Sequence, residues 1–162
     1  MLRIRRAHPE DSAAIWSILE PVIRAGETYA LDRAMPRTAA LAYWVGGDKE
    51  TFVAEGEDGA LLGTYYLRAN QSGGGSHVAN CGYMTASTAT GRGIARAMCN
   101  HSLDRARQRG FRAMQFNFVV SSNTRAVALW QSCGFAIVGR LPLAFAHPTL
   151  GMGDALVMHQ AL

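Results

Sequence analysis

Cysteine is scarce in this 162-residue chain: Cys81, Cys99 and Cys133 are the only three, an odd number without metal-ligand spacing. A disulfide framework and a zinc site are therefore not expected, and buried structural thiols are the plainer reading. The histidines His8, His77, His101, His147 and His159 assemble no metal cluster by their spacing, so no metal cofactor is expected. No apolar segment follows the charged start Met1-Leu2-Arg3-Ile4-Arg5-Arg6, and none elsewhere approaches the length of a membrane span. A cytoplasmic protein without a membrane partner is the expectation. The Walker Lys-Ser/Thr pair is missing, as is the third glycine of the dinucleotide fingerprint. Charged residues make up only 17%, and the net charge of +4 comes from scattered arginines rather than a dense block. With no aromatic-interleaved basic patch, that charge suits an anionic cofactor better than nucleic acid.

What is present is a hydrophobic content of 49%, enough for one domain over residues 1–162 with a substantial core. Leu2-Arg3-Ile4-Arg5 alternates as a strand, and Ile15, Ile18, Leu19, Val22 and Ile23 recur at helical spacing until Gly26. A short helix is predicted over 37–45, stopped by Gly46-Gly47, then strands over 51–54 and 61–67. The tract Gly73-Gly74-Gly75 is a flexible connection rather than a domain boundary, because a strand resumes at 77–84. Further strands are predicted over 113–120, 135–141 and 155–160, with helices over 92–109 and 123–133. Residues 142–154, carrying two prolines and two glycines, read as a loop long enough to belong to a binding site.

The most telling stretch is Thr90-Gly91-Arg92-Gly93-Ile94-Ala95, between an apolar strand and an amphipathic helix. The first turn of a helix leaves its N–H groups without partners and carries roughly half a positive charge, while glycines let a phosphate approach. Further on stands Asn123-x-x-Ala126-x-x-Leu129-Trp130-x-x-x-Gly134-Phe135. Together these segments resemble the GNAT superfamily of acyl-CoA-dependent N-acetyltransferases, over about residues 77–140. That superfamily's loop reads Arg/Gln-x-x-Gly-x-Gly/Ala and its later helix Asn-x-x-Ala-x-x-Leu-Tyr. Thr90 stands where Arg or Gln is usual, and Trp130 where a Tyr often serves as general acid.

The resemblance implies an α/β fold, a mixed and mostly antiparallel sheet of six to seven strands flanked by about four helices, with two central strands splayed apart. It implies acetyl-CoA as co-substrate. The strand edge at Tyr83, Met84 and Thr85 would pair with the pantetheine amides. Gly91, Arg92, Gly93, Ile94, Ala95 and Arg96 would meet the pyrophosphate. Asn123, Ala126 and Trp130 would border the pantetheine arm, Asn123 also being open to reading as a helix cap. An indole is no practical proton source, so Trp130 is expected to pack rather than to protonate the departing thiolate.

The segment Gln115-Phe116-Asn117-Phe118-Val119-Val120-Ser121-Ser122-Asn123 also resembles fungal acetyltransferases acting on proline analogues such as azetidine-2-carboxylate. That subgroup implies catalytic or substrate-placing roles for Asn80 and Asn117, two asparagines in mid-strand where an unpaired amide would destabilise. Glu27, Thr28 and Tyr29, between the first two helices, are the expected acceptor loop, with His147 as a second candidate base. The expected reaction is direct attack by a small-molecule amine, in a homodimer. A non-catalytic acyl-CoA sensor, and an acetyltransferase of protein lysines or N-termini, stay open as alternatives.

Overall fold

A computed structural model describes all of residues 1–162. Seven strands form one sheet: β1 (Arg3–Arg6), β2 (Glu50–Glu55), β3 (Leu61–Ala69), β4 (Val78–Thr85), β5 (Ala113–Val120), β6 (Ala136–His147) and β7 (Gly151–Ala161). Their spatial order is β1-β2-β3-β4-β5-β7-β6, and every neighbouring pair is antiparallel except β4 and β5. Four helices accompany them: α1 (Ser12–Ala25), α2 (Arg37–Trp44), α3 (Ile94–Gln108) and α4 (Thr124–Ser132).

Strand periodicity sorts the side chains into two cores. Adjacent residues of a strand point to opposite faces, so Tyr65 packs with α3 residues such as Met98 and Leu103, whereas Tyr66 packs with Trp44 and the aliphatic stripe of α1. That stripe is Ile15, Ile18, Leu19 and Ile23, all buried, each contributing about 1.5–3 kcal/mol by leaving water. The helix ends where Gly26 takes a left-handed φ of 65° and its N–H bonds the Val22 carbonyl. On the other face Gly63 lets α3 lie close, since a Cβ there would stand 2.8 Å from Met98 and 2.9 Å from Ile94.

The chain end departs from the sequence expectation. Residues 142–154 are not an open loop; β6 and β7 run on through them as a long hairpin closed at 148–150. Pro142 sits at an irregularity of β6 between Leu141 and Phe145, where Leu143 has a φ of 49°. An edge strand tolerates a proline because one side of it needs no ladder donor. Asp154 secures the irregularity, accepting from the Leu143 N–H at 2.9 Å and from Arg140 at 2.6 Å.

The one parallel pair positions the site. β4 and β5 are paired only at Val78 with Ala113 and at Ala79 with Met114, and beyond that they diverge. At the parting point the Asn80 side-chain amide donates to the Gln115 carbonyl at 3.0 Å, where the ladder would otherwise have continued. A bulge between Phe116 and Val119 turns β5 further aside.

Candidate active site

A cleft of about 720 Å³ passes between the diverging strands and opens on both faces of the sheet. On the α3/α4 face its mouth is the turn from Thr90 to Arg96. Gly91 and Gly93 hold φ of 76° and 79°, and a Cβ on either would meet nothing within 4 Å. Backbone conformation, not crowding, therefore demands glycine there, and the space above them is open. Gly93 caps α3, and intrahelical bonding begins with the Ala97 N–H on the Gly93 carbonyl. The preceding N–H groups, at Ile94, Ala95 and Arg96, have no acceptor within the helix. Thr90, Gly91, Gly93, Ile94, Ala95 and Arg96 all line the cleft, while Arg92 is exposed outside it. The Thr90 hydroxyl bonds weakly to the Ser87 carbonyl at 3.4 Å.

Across from this turn stands α4. Asn123 caps it, accepting from the Ala126 N–H at 3.4 Å, and still borders the cleft together with Ala126 and Trp130. The Trp130 ring lies 4.9 Å from Tyr83 and 5.2 Å from Phe116, and is 9% exposed. Tyr83 turns its hydroxyl into the core, donating to Ser102 at 2.6 Å, while Ser102 donates to the Cys99 carbonyl. Burial raises the Tyr83 phenol well above its ordinary range. Burial likewise pushes the Cys81 thiol up to about 12, which leaves it protonated and poorly nucleophilic at neutral pH.

The edge of β4 holds the least expected contact. The Val78 carbonyl accepts from Asn70 and the Ala86 N–H donates to Leu62, so even-numbered positions turn their backbone toward β3. Met84 therefore belongs to the β3 ladder and offers the cleft only its side chain, contrary to the role expected of its backbone. Tyr83 and Thr85 face the opening. The Tyr83 N–H donates to the Tyr29 hydroxyl at 2.8 Å, and that hydroxyl donates to the Tyr83 carbonyl at 2.9 Å. One phenol thus satisfies both exposed backbone groups of a residue whose partner strand has departed. Tyr29 is held by its ring, edge-on to Trp44 at 6.0 Å, and burial raises its phenol as well.

On the α1/α2 face the mouth is lined by Thr28, Tyr29, Tyr43, Tyr66, Arg68, Asn80, Asn117 and Phe118. Their amides are linked. Arg68 Nε faces Asn80 Oδ1 at 3.4 Å, Gln115 donates to Asn117 Oδ1 at 2.9 Å, and Asn117 donates to Asn70 Oδ1 at 2.6 Å. Asn80 and Asn117 each retain one N–H and one lone pair beyond these bonds. The structure does not bring Glu27 or His147 to this mouth. Glu27 is exposed and lies outside the cleft lining. His147 ends β6, where its Nδ1 accepts from the N–H groups of Thr149 and Leu150 to shape the hairpin turn.

Sequence reasoning passed over Arg68, Tyr43 and Tyr66. Arg68 follows an almost wholly buried strand run, Leu62 to Leu67, and a charge at the end of such a run was the available signal. Nothing local marks Tyr43 or Tyr66 as other than core.

Residues 14–135 match the sequence pattern of the acetyltransferase (GNAT) family. A GCN5-related N-acetyltransferase from Kribbella flavida is 43% identical, with 99% of this chain and 98% of that one covered and a TM-score of 0.95. The N-acetyltransferase aca1 of Schizosaccharomyces pombe is 30% identical over 132 residues, 72% of this chain; the match spans 63% of that relative's length. A phosphinothricin acetyltransferase of the GNAT superfamily from Sinorhizobium meliloti, solved in complex with AcCoA, shares the fold at a TM-score of 0.86 and 20% identity, with coverage of 99% and 88%.

Proposed function

This chain belongs to the GNAT acetyltransferase family, and we propose that it moves an acetyl group from acetyl-CoA to the amine of a small molecule, an amino acid, imino acid or related amine, within a ternary complex. The observation that carries this reading is the slot through the sheet. One mouth presents the N-terminus of a fifteen-residue helix behind two left-handed glycines, and the other presents phenols and amides. The glycine turn suits a diphosphate, because its open concave side is walled by partnerless N–H groups. Arg96 adds charge beside it. Asn123, small Ala126 and flat Trp130 suit the pantetheine arm.

Acetyl-CoA, when bound, supplies a thioester carbonyl that a neutral amine attacks, with CoA leaving as the thiolate. The chain contributes placement and electrostatics. The Thr85 N–H faces the slot, and the Tyr83 N–H becomes free when Tyr29 releases it; both are donors for an oxygen gaining negative charge. Asn80 and Asn117 use their remaining amide capacity to orient the acceptor. Trp130 packs and excludes water, and the proton of the attacking amine passes to solvent through the open mouth. Holding two reactants in register supplies roughly 7–11 kcal/mol in favourable cases, so a strong side-chain acid is not required. A buried, protonated Cys81 is a poor nucleophile, which favours direct attack over an acyl-enzyme, and the kinetics are expected to be sequential. The finer likeness to acetyltransferases of proline analogues rests on Asn80, Asn117 and Asn123 and forms part of the same proposal.

The deciding experiment follows thiol release from acetyl-CoA with amino acids, cyclic imino acids, polyamines and peptides. Turnover with a free amino or imino acid is the expected result. Tight CoA binding with no transfer to any amine would mark a sensor instead, and transfer confined to peptides would mark a protein acetyltransferase.

A further inference from the structure

Charge is distributed unevenly in the cleft. No Asp, Glu or His lines it at any depth, and its ionised groups are Arg68, Arg96 and Arg125. Arg96 and Arg125 stand on α3 and α4, on the side assigned to the cofactor. Arg68 is the only ionised side chain on the acceptor side. Behind that wall, Lys49 Nζ lies 4.7 Å from the Tyr43 ring centre and 5.4 Å from that of Tyr66, with its side chain only 6% exposed. Lys49 and Arg68 share a single carboxylate, Asp48, at 3.2 and 3.6 Å, and Asp48 is 62% exposed. Two cations against one solvated anion leave the acceptor mouth with uncompensated positive charge.

Such a mouth disfavours an acceptor that carries only ammonium groups and favours one that brings its own anion. Arg68 borders the cleft and also the neighbouring cavity that holds Asp48 and Lys49. Its Nε faces Asn80 and its Nη1 faces Asp48, while Nη2 has no protein partner. A guanidinium fork matches a carboxylate, and its field, together with desolvation, favours the neutral form of a nearby amine. Asn80 lies opposite Arg68 in the β3–β4 register, and Tyr83 is three residues further along β4, roughly 10 Å at ~3.3 Å per residue. An amino acid whose carboxylate meets Arg68 would share the β4 side of the cleft with the Tyr83 edge.

We propose that Arg68 is the specificity-determining residue that binds the acceptor's carboxylate, so that the acceptors are free amino or imino acids and not polyamines or simple amines. This inference rests on the small-molecule transferase reading and narrows it.

The test compares proline with prolinamide and with pyrrolidine, adds spermidine, and uses the wild type together with Arg68→Met and Arg68→Lys. For the wild type, kcat/KM with proline is expected to exceed that with either carboxylate-free partner by about 100-fold. In Arg68→Met that ratio should collapse to within about fivefold through a rise in KM for proline, while KM for acetyl-CoA changes less than about twofold; Arg68→Lys should recover part of the ratio. The wild-type comparison stands even if a variant misfolds. Equal use of proline and prolinamide, a preference for spermidine, or an unchanged ratio in a folded Arg68→Met overturns the role of Arg68 and leaves the small-molecule reading intact. Transfer neither to these amines nor to any other free amino acid, by a protein that still binds CoA, removes the small-molecule transferase reading, and this inference with it.

Discussion

Tyr29 and Trp130 divide the chemistry that one tyrosine would otherwise concentrate. Trp130 fills the slot with an aromatic face against Tyr83 and Phe116 and brings no acid. Tyr29 supplies a hydroxyl, but on the backbone of Tyr83, where its two bonds occupy the edge that a thioester substrate would need. A net hydrogen-bond contribution of about 1 kcal/mol must then be given up when acetyl-CoA enters. Tyr29→Phe is accordingly expected to tighten acetyl-CoA binding roughly fivefold by calorimetry, with a thermal midpoint lower by a few degrees. Weaker binding in that variant would show that Tyr29 instead helps to hold the ligand. Tyr29 was legible in the sequence as a residue of the loop between the first two helices. Its partner was not, because the contact joins positions 54 residues apart.

The elements that matter most are the turn into α3 and the fork between β4 and β5. The turn was readable from Gly91 and Gly93, since the spacing of glycines before an amphipathic helix describes a local conformation. Gly93→Ala forces a side chain into a φ of 79°, at a strain of about 1–2 kcal/mol. Nothing surrounds the added Cβ, so the effect should appear where the turn is used: a dissociation constant for acetyl-CoA about tenfold higher, with only a small fall in the melting temperature. An unaltered dissociation constant would remove the turn from the binding site. The fork was visible only as two asparagines in mid-strand; that Asn80 replaces a ladder bond to Gln115 depends on where two distant strands part. The hairpin of β6 and β7 was misread for a related reason. Pro142 and the glycines signal a loop locally, while Asp154 and the pairing to β7 hold the segment in the sheet.

At the scale of the whole molecule, Glu50 ties the sheet edge to a helix. Its carboxylate, 10% exposed, accepts from Arg6 on β1 at 2.5 Å and from Arg105 and Arg109, at the C-terminal end of α3, at 2.5 and 2.7 Å. Burial pushes this carboxyl up, but the bonds from Arg105 and Arg109 outweigh it and hold Glu50 below its ordinary range. The stabilisation is thus complete above the usual carboxylate pKa, near 4.5, and is lost as pH falls through the lower folded value. Glu50→Gln should lose about 1–3 kcal/mol at pH 7, toward the lower figure because the guanidiniums are a third to a half exposed, and should flatten the melting profile below pH 4.5. A profile as steep as that of the wild type would relocate the acid sensitivity to another group. Such a network joins residues from three elements and leaves no pattern in a short window of sequence. By itself the sequence determined the elements apart from the extension of β6 and β7 through 142–154, the glycine turn and the family, because periodicity, capping and backbone conformation act within a few residues. The tertiary structure alone decided that Tyr29 closes on Tyr83, that Arg68 is the only ionised group lining the α1/α2 mouth of the cleft, and that His147 and Glu27 stand apart, because those outcomes follow from which distant backbones meet.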